Sequence, residues 1–267
     1  MNPKESSVDT ESPVLLRRDG AIATLSFNRP AALNALDLDT AKAFSDVCAA
    51  VVNDSSVRAI VVRGEGRAFG AGGDLASLRQ SPSETAHALI EGMHASIRLL
   101  AAANAPVIAS LHGMVAGGSF SLALACDLAI AADDTRFNLA YAKVAANCDV
   151  SGSWSLPRLV GLRRAMQIAL LSETFDADEA LKLGLVNRVV PSRDLIAETQ
   201  ALARRLAEGP TLAYGRMKRL LRQSFENGFA QQLDAERDAF VESAGTRDFS
   251  EAMDAFFEKR RPTFVGR

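Results

Sequence analysis

Cysteine is scarce. Cys48, Cys126 and Cys148 are the only three, odd in number and without metal-ligand spacing, which argues against a disulfide framework or thiolate metal centre and fits a reducing, cytoplasmic compartment. No sign of charge dominates either. Thirty Lys and Arg stand against 32 Asp and Glu, a formal charge of −2, so no global field draws the chain to nucleic acid or to an anionic membrane. The apolar stretch 107–132 is interrupted by His112, Asp127 and several glycines and reads as strand, turn, helix, strand rather than as a membrane span. Residues 1–12 carry Asp9 and Glu11 and no apolar centre, so a loose tail is expected there rather than a signal peptide. G-x-x-x-x-G-K-[ST], H-E-x-x-H and G-x-S-x-G are all missing, and the last glycine of the run Gly64 to Gly70 falls one place too late for a dinucleotide fingerprint. No P-loop, zincin, hydrolase elbow or nicotinamide site is indicated, and neither a metal nor a cofactor is expected.

The 267 residues are 48% hydrophobic, enough for one large domain, with or without a helical appendage. A hairpin is expected from Val14 to Arg17 and Ala21 to Phe27 around Asp19-Gly20, followed by a helix capped by Asp37 or Asp39 and ending near Asn53. Strand Ala59 to Val62, a helix from about Ser83 to Ala102 and strand Val107 to Leu111 come next. Recurrence of strand, turn and helix predicts an α/β fold of stacked β-β-α turns rather than a flat doubly wound sheet. Beyond Leu128 to Ala131, helices are expected at Leu162 to Leu171, after Asp176 as far as Gly184, and, past Pro191, at Leu195 to Ala207, Thr211 to Ser224, Phe229 to Ser243 and Ser250 to Lys259.

Two glycine-rich turns, Gly66 to Leu75 and His112 to Ser119, each follow a short apolar run. Taken singly, each is an ordinary chain reversal. Together they present unpaired N–H donors near helix starts, where a substrate atom can approach the main chain and two amides can hold one developing oxyanion. Asp149 lies in a largely uncharged stretch between Val144 and Leu156, where desolvation would raise its pKa and strengthen it as a base. Its plain reading is a turn aspartate before Ser-Gly.

GRAFGAGGDL followed by PVIASLHGMVAGGSFSLALACDLAIAA, with the N-R-P-A-A-L-N-A-L segment from Asn28 and the closing K-R-R-P-T-F from Lys259, resembles the crotonase (enoyl-CoA hydratase/isomerase) superfamily over nearly the whole chain. The resemblance implies a spiral core over 13–207 behind the tail 1–12, and a helical region over 208–267 that packs between subunits of a homotrimer or a dimer of trimers. It implies an acyl-CoA thioester substrate, Gly73 and Gly118 as oxyanion-hole amides, and Ala32, Leu33, Ala71, Asp74 and Leu75 along the CoA channel. The basic residue that often follows N-R-P is Ala31 here, leaving Arg29 or Lys259 for the CoA phosphates.

At the two positions where a hydratase of this family carries glutamates the chain has Ser121 and Tyr141, neither an efficient base at neutral pH. Asp149 matches the catalytic aspartate of the enoyl-CoA isomerase branch, so a double-bond shift by a single carboxylate is expected, with Tyr141 and Trp154 as pocket walls and no proton-transfer part for Ser121 or Tyr141. The alternatives are a hydratase with rearranged groups; a 4-chlorobenzoyl-CoA dehalogenase-like enzyme, in which His94 joins Asp149 and Tyr141; and a non-enzyme, either an inactive scaffold or an RNA binder using the basic strip Arg216, Lys218, Arg219 and Arg222.

Overall fold

The computed structural model describes residues 12–79 and 81–267; the expected tail lies, Ser12 apart, outside the described residues. In chain order the strands are β1 (Val14–Asp19), β2 (Ile22–Phe27), β3 (Ala59–Gly64), β4 (Val107–Leu111), β5 (Met114–Ala116), β6 (Leu128–Ala132), β7 (Arg136–Asn138), β8 (Phe175–Asp176) and β9 (Arg188–Val190). The helices are α1 (Leu38–Asn53), α2 (Leu75–Leu78), α3 (Pro82–Ala102), α4 (Gly117–Ala125), α5 (Gly152–Val160), α6 (Leu162–Leu171), α7 (Ala177–Lys182), α8 (Leu195–Ala207), α9 (Thr211–Gln223), α10 (Phe229–Ala244) and α11 (Arg247–Phe257).

A six-stranded sheet runs β1-β2-β3-β4-β6-β9 and a three-stranded one β5-β7-β8. Only the β1–β2 hairpin is antiparallel in the large sheet. Every residue of β2 and β4 is buried, as expected of strands covered on both faces. Alternate residues then divide between two cores: Ile60 and Val62 face the main one, while Ile22, Ala59, Val61 and Ile108 pack on Ala203 and Ala207 of α8. Strand of the large sheet, strand of the small sheet and helix succeed one another as β4-β5-α4 and again as β6-β7-α5, the stacked β-β-α turn of a crotonase-like spiral.

The structure settles three local points. Of the two expected caps, Asp37 is the one that caps α1, its carboxylate accepting from the Thr40 N–H at 2.8 Å. The last helix begins at Arg247 rather than Ser250, because Thr246 Oγ caps it through the Phe249 N–H. Helix α5, which carries Trp154, was not expected: Ser-Gly-Ser and an internal Pro157 hide it, and it starts from a left-handed Ser151.

The basic strip on α9 is not free. Lys218 Nζ sits 2.7 Å from Asp127 Oδ2 and donates to the carbonyls of Leu100 and Ala105; Arg222 bonds Asp127 and the carbonyls of Ala101 and Ala125; Arg219 reaches the Ala102 carbonyl and Asn104; and Arg216 pairs with Glu242. Leu100, Ala101 and Ala102 close α3, whose own last turn has no basic residue. The three cations of α9 therefore satisfy the C-terminal carbonyls of another helix. These bonds occupy the strip that the RNA-binding alternative would have used.

Candidate active site

The two glycine turns are packed main chain to main chain. Gly70 donates to the Met114 carbonyl at 3.1 Å, and Ala116 donates back to the Gly70 carbonyl at 2.9 Å. Gly72, at φ +92°, has no room for a side chain: a Cβ there would stand 3.0 Å from the Ala116 oxygen and 3.3 Å from the Gly118 nitrogen. Its N–H is taken by Ser119 Oγ at 3.2 Å. Leu36 fastens the first turn from the other side, donating to the Gly72 carbonyl and accepting from the Asp74 N–H. The amides of Gly73 and Gly118 find no acceptor among the described residues, and Gly118, second residue of α4, is one of the donors that a helix start leaves over. Both glycines line one cavity of about 300 Å³ together with Asp149.

Asp149 sits on the loop before α5, whose path is set by non-glycine residues in the left-handed region: Ala140, Ala145, Val150 and Ser151. At Val150, β-branched with φ +49°, such a conformation is strained and must be held by its surroundings. His94 of α3 supplies one hold, its Nε2 accepting the Val150 N–H at 3.2 Å. Gly152 N–H closes the turn onto the Asp149 carbonyl at 2.8 Å. The carboxylate is thereby brought beside Gly118, with Oδ1 3.6 Å from where a Cβ on that glycine would lie.

Burial pushes the Asp149 carboxyl above its ordinary value, opposed by the Tyr141 hydrogen bond and by His94. Tyr141 donates its phenolic proton to Asp149 Oδ1. Burial and then the Asp149 charge hold that phenol well above the usual tyrosine range, so it serves as a neutral donor. Ser121 Oγ lies 3.0 Å from the same hydroxyl. Leu36, Leu75, Leu78, Leu89, Ile90 and Met93 make an apolar wall, and Asp149 is the one carboxylate among the described residues that line the cavity.

The other site residues named from sequence are placed as follows. Ala71 and Leu75 line the cavity. Ala32, Leu33 and Asp74 are not among its lining residues: Ala32 belongs to a short 3-10 turn, the Leu33 carbonyl accepts the Ala71 N–H at 3.0 Å, and Asp74 caps α2. Ser121 and His94 do not line the cavity; their hydrogen bonds are to Tyr141 and to the Val150 N–H. Trp154 is elsewhere, and its expected place in the pocket wall is corrected. Its ring lies under the Arg158 guanidinium, 4.0 Å from centroid to Cζ, in a separate groove of about 700 Å³. Arg29 is committed within the fold, with Nη2 3.0 Å from both Asp37 and Asp74 and Nη1 on the Ala35 carbonyl, while Lys259 is exposed beyond α11.

What sequence reasoning missed was the direct bond from Tyr141 to Asp149. The two are eight residues apart on a loop with no regular period, and no spacing rule brings their side chains together.

A spiral of β-β-α turns, with two glycine turns packed together beside an apolar cavity, defines a crotonase-type fold. Residues 17–267 match the enoyl-CoA hydratase/isomerase family, and the chain belongs to it. It is 34% identical over 260 residues to the 1,2-epoxyphenylacetyl-CoA isomerase of Escherichia coli, covering 95% of this chain and 98% of that protein. It is 32% identical over 257 residues to a 4-chlorobenzoyl coenzyme A dehalogenase of an Arthrobacter species, covering 95% and 93%. The solved structure of an enoyl-CoA hydratase from Polaromonas superposes with a TM-score of 0.89 at 33% identity, over 94% of this chain and 99% of that one. Hydratase names are the commoner among the relatives.

Proposed function

We propose that the protein is an enoyl-CoA isomerase in which Asp149 moves a proton between two carbons of an acyl-CoA thioester. The observation that carries this reading is the lone carboxylate: Asp149 is the only one lining the described cavity, beside the Gly118 amide. Hydration calls for water to be positioned and split, whereas a double-bond shift needs one base that takes a proton and returns it. In a 3-enoyl-CoA, Asp149 would remove a proton from C2. The C–H pair delocalises into the adjacent thioester carbonyl and, on the other side, over the conjugated C3–C4 double bond, giving a dienolate whose oxygen would be held by the Gly73 and Gly118 amides. Return of the same proton at C4 leaves the 2-enoyl isomer and regenerates the carboxylate, with no oxidant, metal or cofactor consumed.

The related dehalogenase raises a second chemistry for the same aspartate. A His94 base is disfavoured there, because its Nε2 is already occupied by the Val150 N–H. The assignment further comprises a core over 13–207, a helical region over 208–267 used in a trimer or dimer of trimers, and a cytoplasmic setting. The deciding experiment is conversion of 3-enoyl-CoA to 2-enoyl-CoA by wild type and Asp149→Asn. Rapid hydration of 2-enoyl-CoA with no isomerisation of any 3-enoyl-CoA tried would sink the reading.

A further inference from the structure

Tyr141 has one hydroxyl proton and two oxygen neighbours, Asp149 Oδ1 and Ser121 Oγ. An ionised carboxylate only accepts, so the Tyr141 proton goes to Asp149, and Ser121 must supply the proton of the second bond. The chain thus has one direction, Ser121 to Tyr141 to Asp149. Ser121 is fully buried on α4 and is locked against α5: a Cβ on Gly152 would collide with its hydroxyl, and its carbonyl accepts from Ser151 Oγ at 3.4 Å. The chain therefore starts from a rigid helix and ends on a carboxylate carried by a strained loop. It occupies Oδ1 and leaves Oδ2 without a partner among the described residues.

We infer that Ser121 and Tyr141 are positioning residues that hold Asp149 by Oδ1 through a one-way hydrogen-bond chain, so that Oδ2 is the oxygen presented to the substrate carbon. This rests on the reading of Asp149 as the base. A carboxylate fixed by one oxygen loses rotational freedom about its last bond, and its free oxygen is pre-aimed. Polarisation along the chain means that Ser121 strengthens the bond from Tyr141 without touching Asp149 itself. The titratable groups facing Asp149 are Tyr141 and Cys148 on its own loop and His94 on α3. Of these, Tyr141 alone donates to the carboxylate oxygens.

The experiment combines steady-state kinetics on 3-enoyl-CoA with a carbon-13 carboxyl titration of substrate-free full-length protein, the Asp149 signal being assigned by its loss in Asp149→Asn. Tyr141→Phe deletes one oxygen. It should raise the pH at which Asp149 titrates, move the rising limb of the kcat profile to higher pH, and lower plateau kcat by roughly ten- to a hundredfold with KM changed far less. Ser121→Ala should act in the same direction but more weakly, and should have no further effect on Asp149 in the Tyr141→Phe background, since its influence passes through the phenol. The double variant also removes the unpaired buried serine that Tyr141→Phe alone leaves behind, which guards against a folding artefact. An Asp149 titration unchanged by Tyr141→Phe, or an equal effect of Ser121→Ala with and without Tyr141, overturns the inference. Full turnover by Asp149→Asn would instead overturn the reading of the base, and the titration would still decide whether the chain exists.

Discussion

The N–H of Val150 donates to Nε2 of His94 across 3.2 Å, so that a helix 56 residues earlier in the chain holds the peptide next to the proposed base. Val150 is 3% exposed, and without His94 its N–H would be a buried donor with nothing to bond. Such a loss costs roughly 1–3 kcal/mol. His94→Ala should therefore lower the melting temperature and cut turnover at least tenfold, with His94→Gln restoring part of both. Thermal melts and kcat measured on the same preparations check this.

Asp149→Asn should reduce turnover by roughly a hundred- to ten-thousand-fold while acyl-CoA affinity, read by calorimetry, changes little. The same substitution should leave stability at neutral pH equal or higher. Burial raises the carboxyl above its unfolded value, so the stability it contributes is full below the unfolded pKa and is lost as pH rises through the folded one. In that window the folded state holds the proton more tightly, and at neutral pH the ionised group works against folding. Melts of both proteins from pH 4 to 8 should show the wild type losing more stability than Asp149→Asn as pH rises.

Gly118 and Gly72 should respond differently to alanine. A Cβ on Gly118 meets Leu36, Val150 and Asp149 Oδ1 at 3.5–3.6 Å, ordinary contact, whereas Gly72 combines φ +92° with backbone at 3.0 Å. Gly118→Ala should fold with near-native melting and lose turnover, its methyl standing between amide and base. Gly72→Ala should be destabilised outright, by roughly 1–3 kcal/mol, as a denaturant titration would show.

Asp127→Ala should cost about 3–5 kcal/mol in the same assay, because Lys218 would remain buried as an uncompensated charge with only carbonyl partners. A loss below 1 kcal/mol would mean that the ammonium escapes to solvent.

Light scattering at micromolar concentration should give a trimeric or hexameric mass. Phe229, Phe240, Phe256 and Phe257 are 65–82% exposed in the single chain, more apolar surface on the last two helices than an isolated subunit ordinarily carries. A mass of one subunit would contradict the assembly.

Strand β2 was legible from the hairpin turn at Asp19-Gly20, β3 and β4 from the short, mainly apolar runs that strands covered on both faces need, and the glycine turns because Gly72's positive φ beside another backbone calls for glycine. The way Asp149 is held was not legible. Its loop turns at Ala140, Ala145 and Val150, residues that give no outward sign of left-handed geometry. The α9 strip misled for a related reason. Four cations at helical spacing resemble a solvated face, and the partners that absorb most of them are main-chain carbonyls at the end of α3, which no sequence displays.

Those carbonyls tie two parts of the molecule together. Helix α3 contributes Leu89, Ile90 and Met93 to the cavity wall and His94 to the hold on Val150, and its last three carbonyls, those of Leu100, Ala101 and Ala102, accept from side chains of α9. The terminal helices are thus not an interchangeable cassette. A chimera that grafts this core onto another relative's C-terminal region inherits an α3 with an open end unless cations at the positions of Lys218, Arg219 and Arg222 come with the graft.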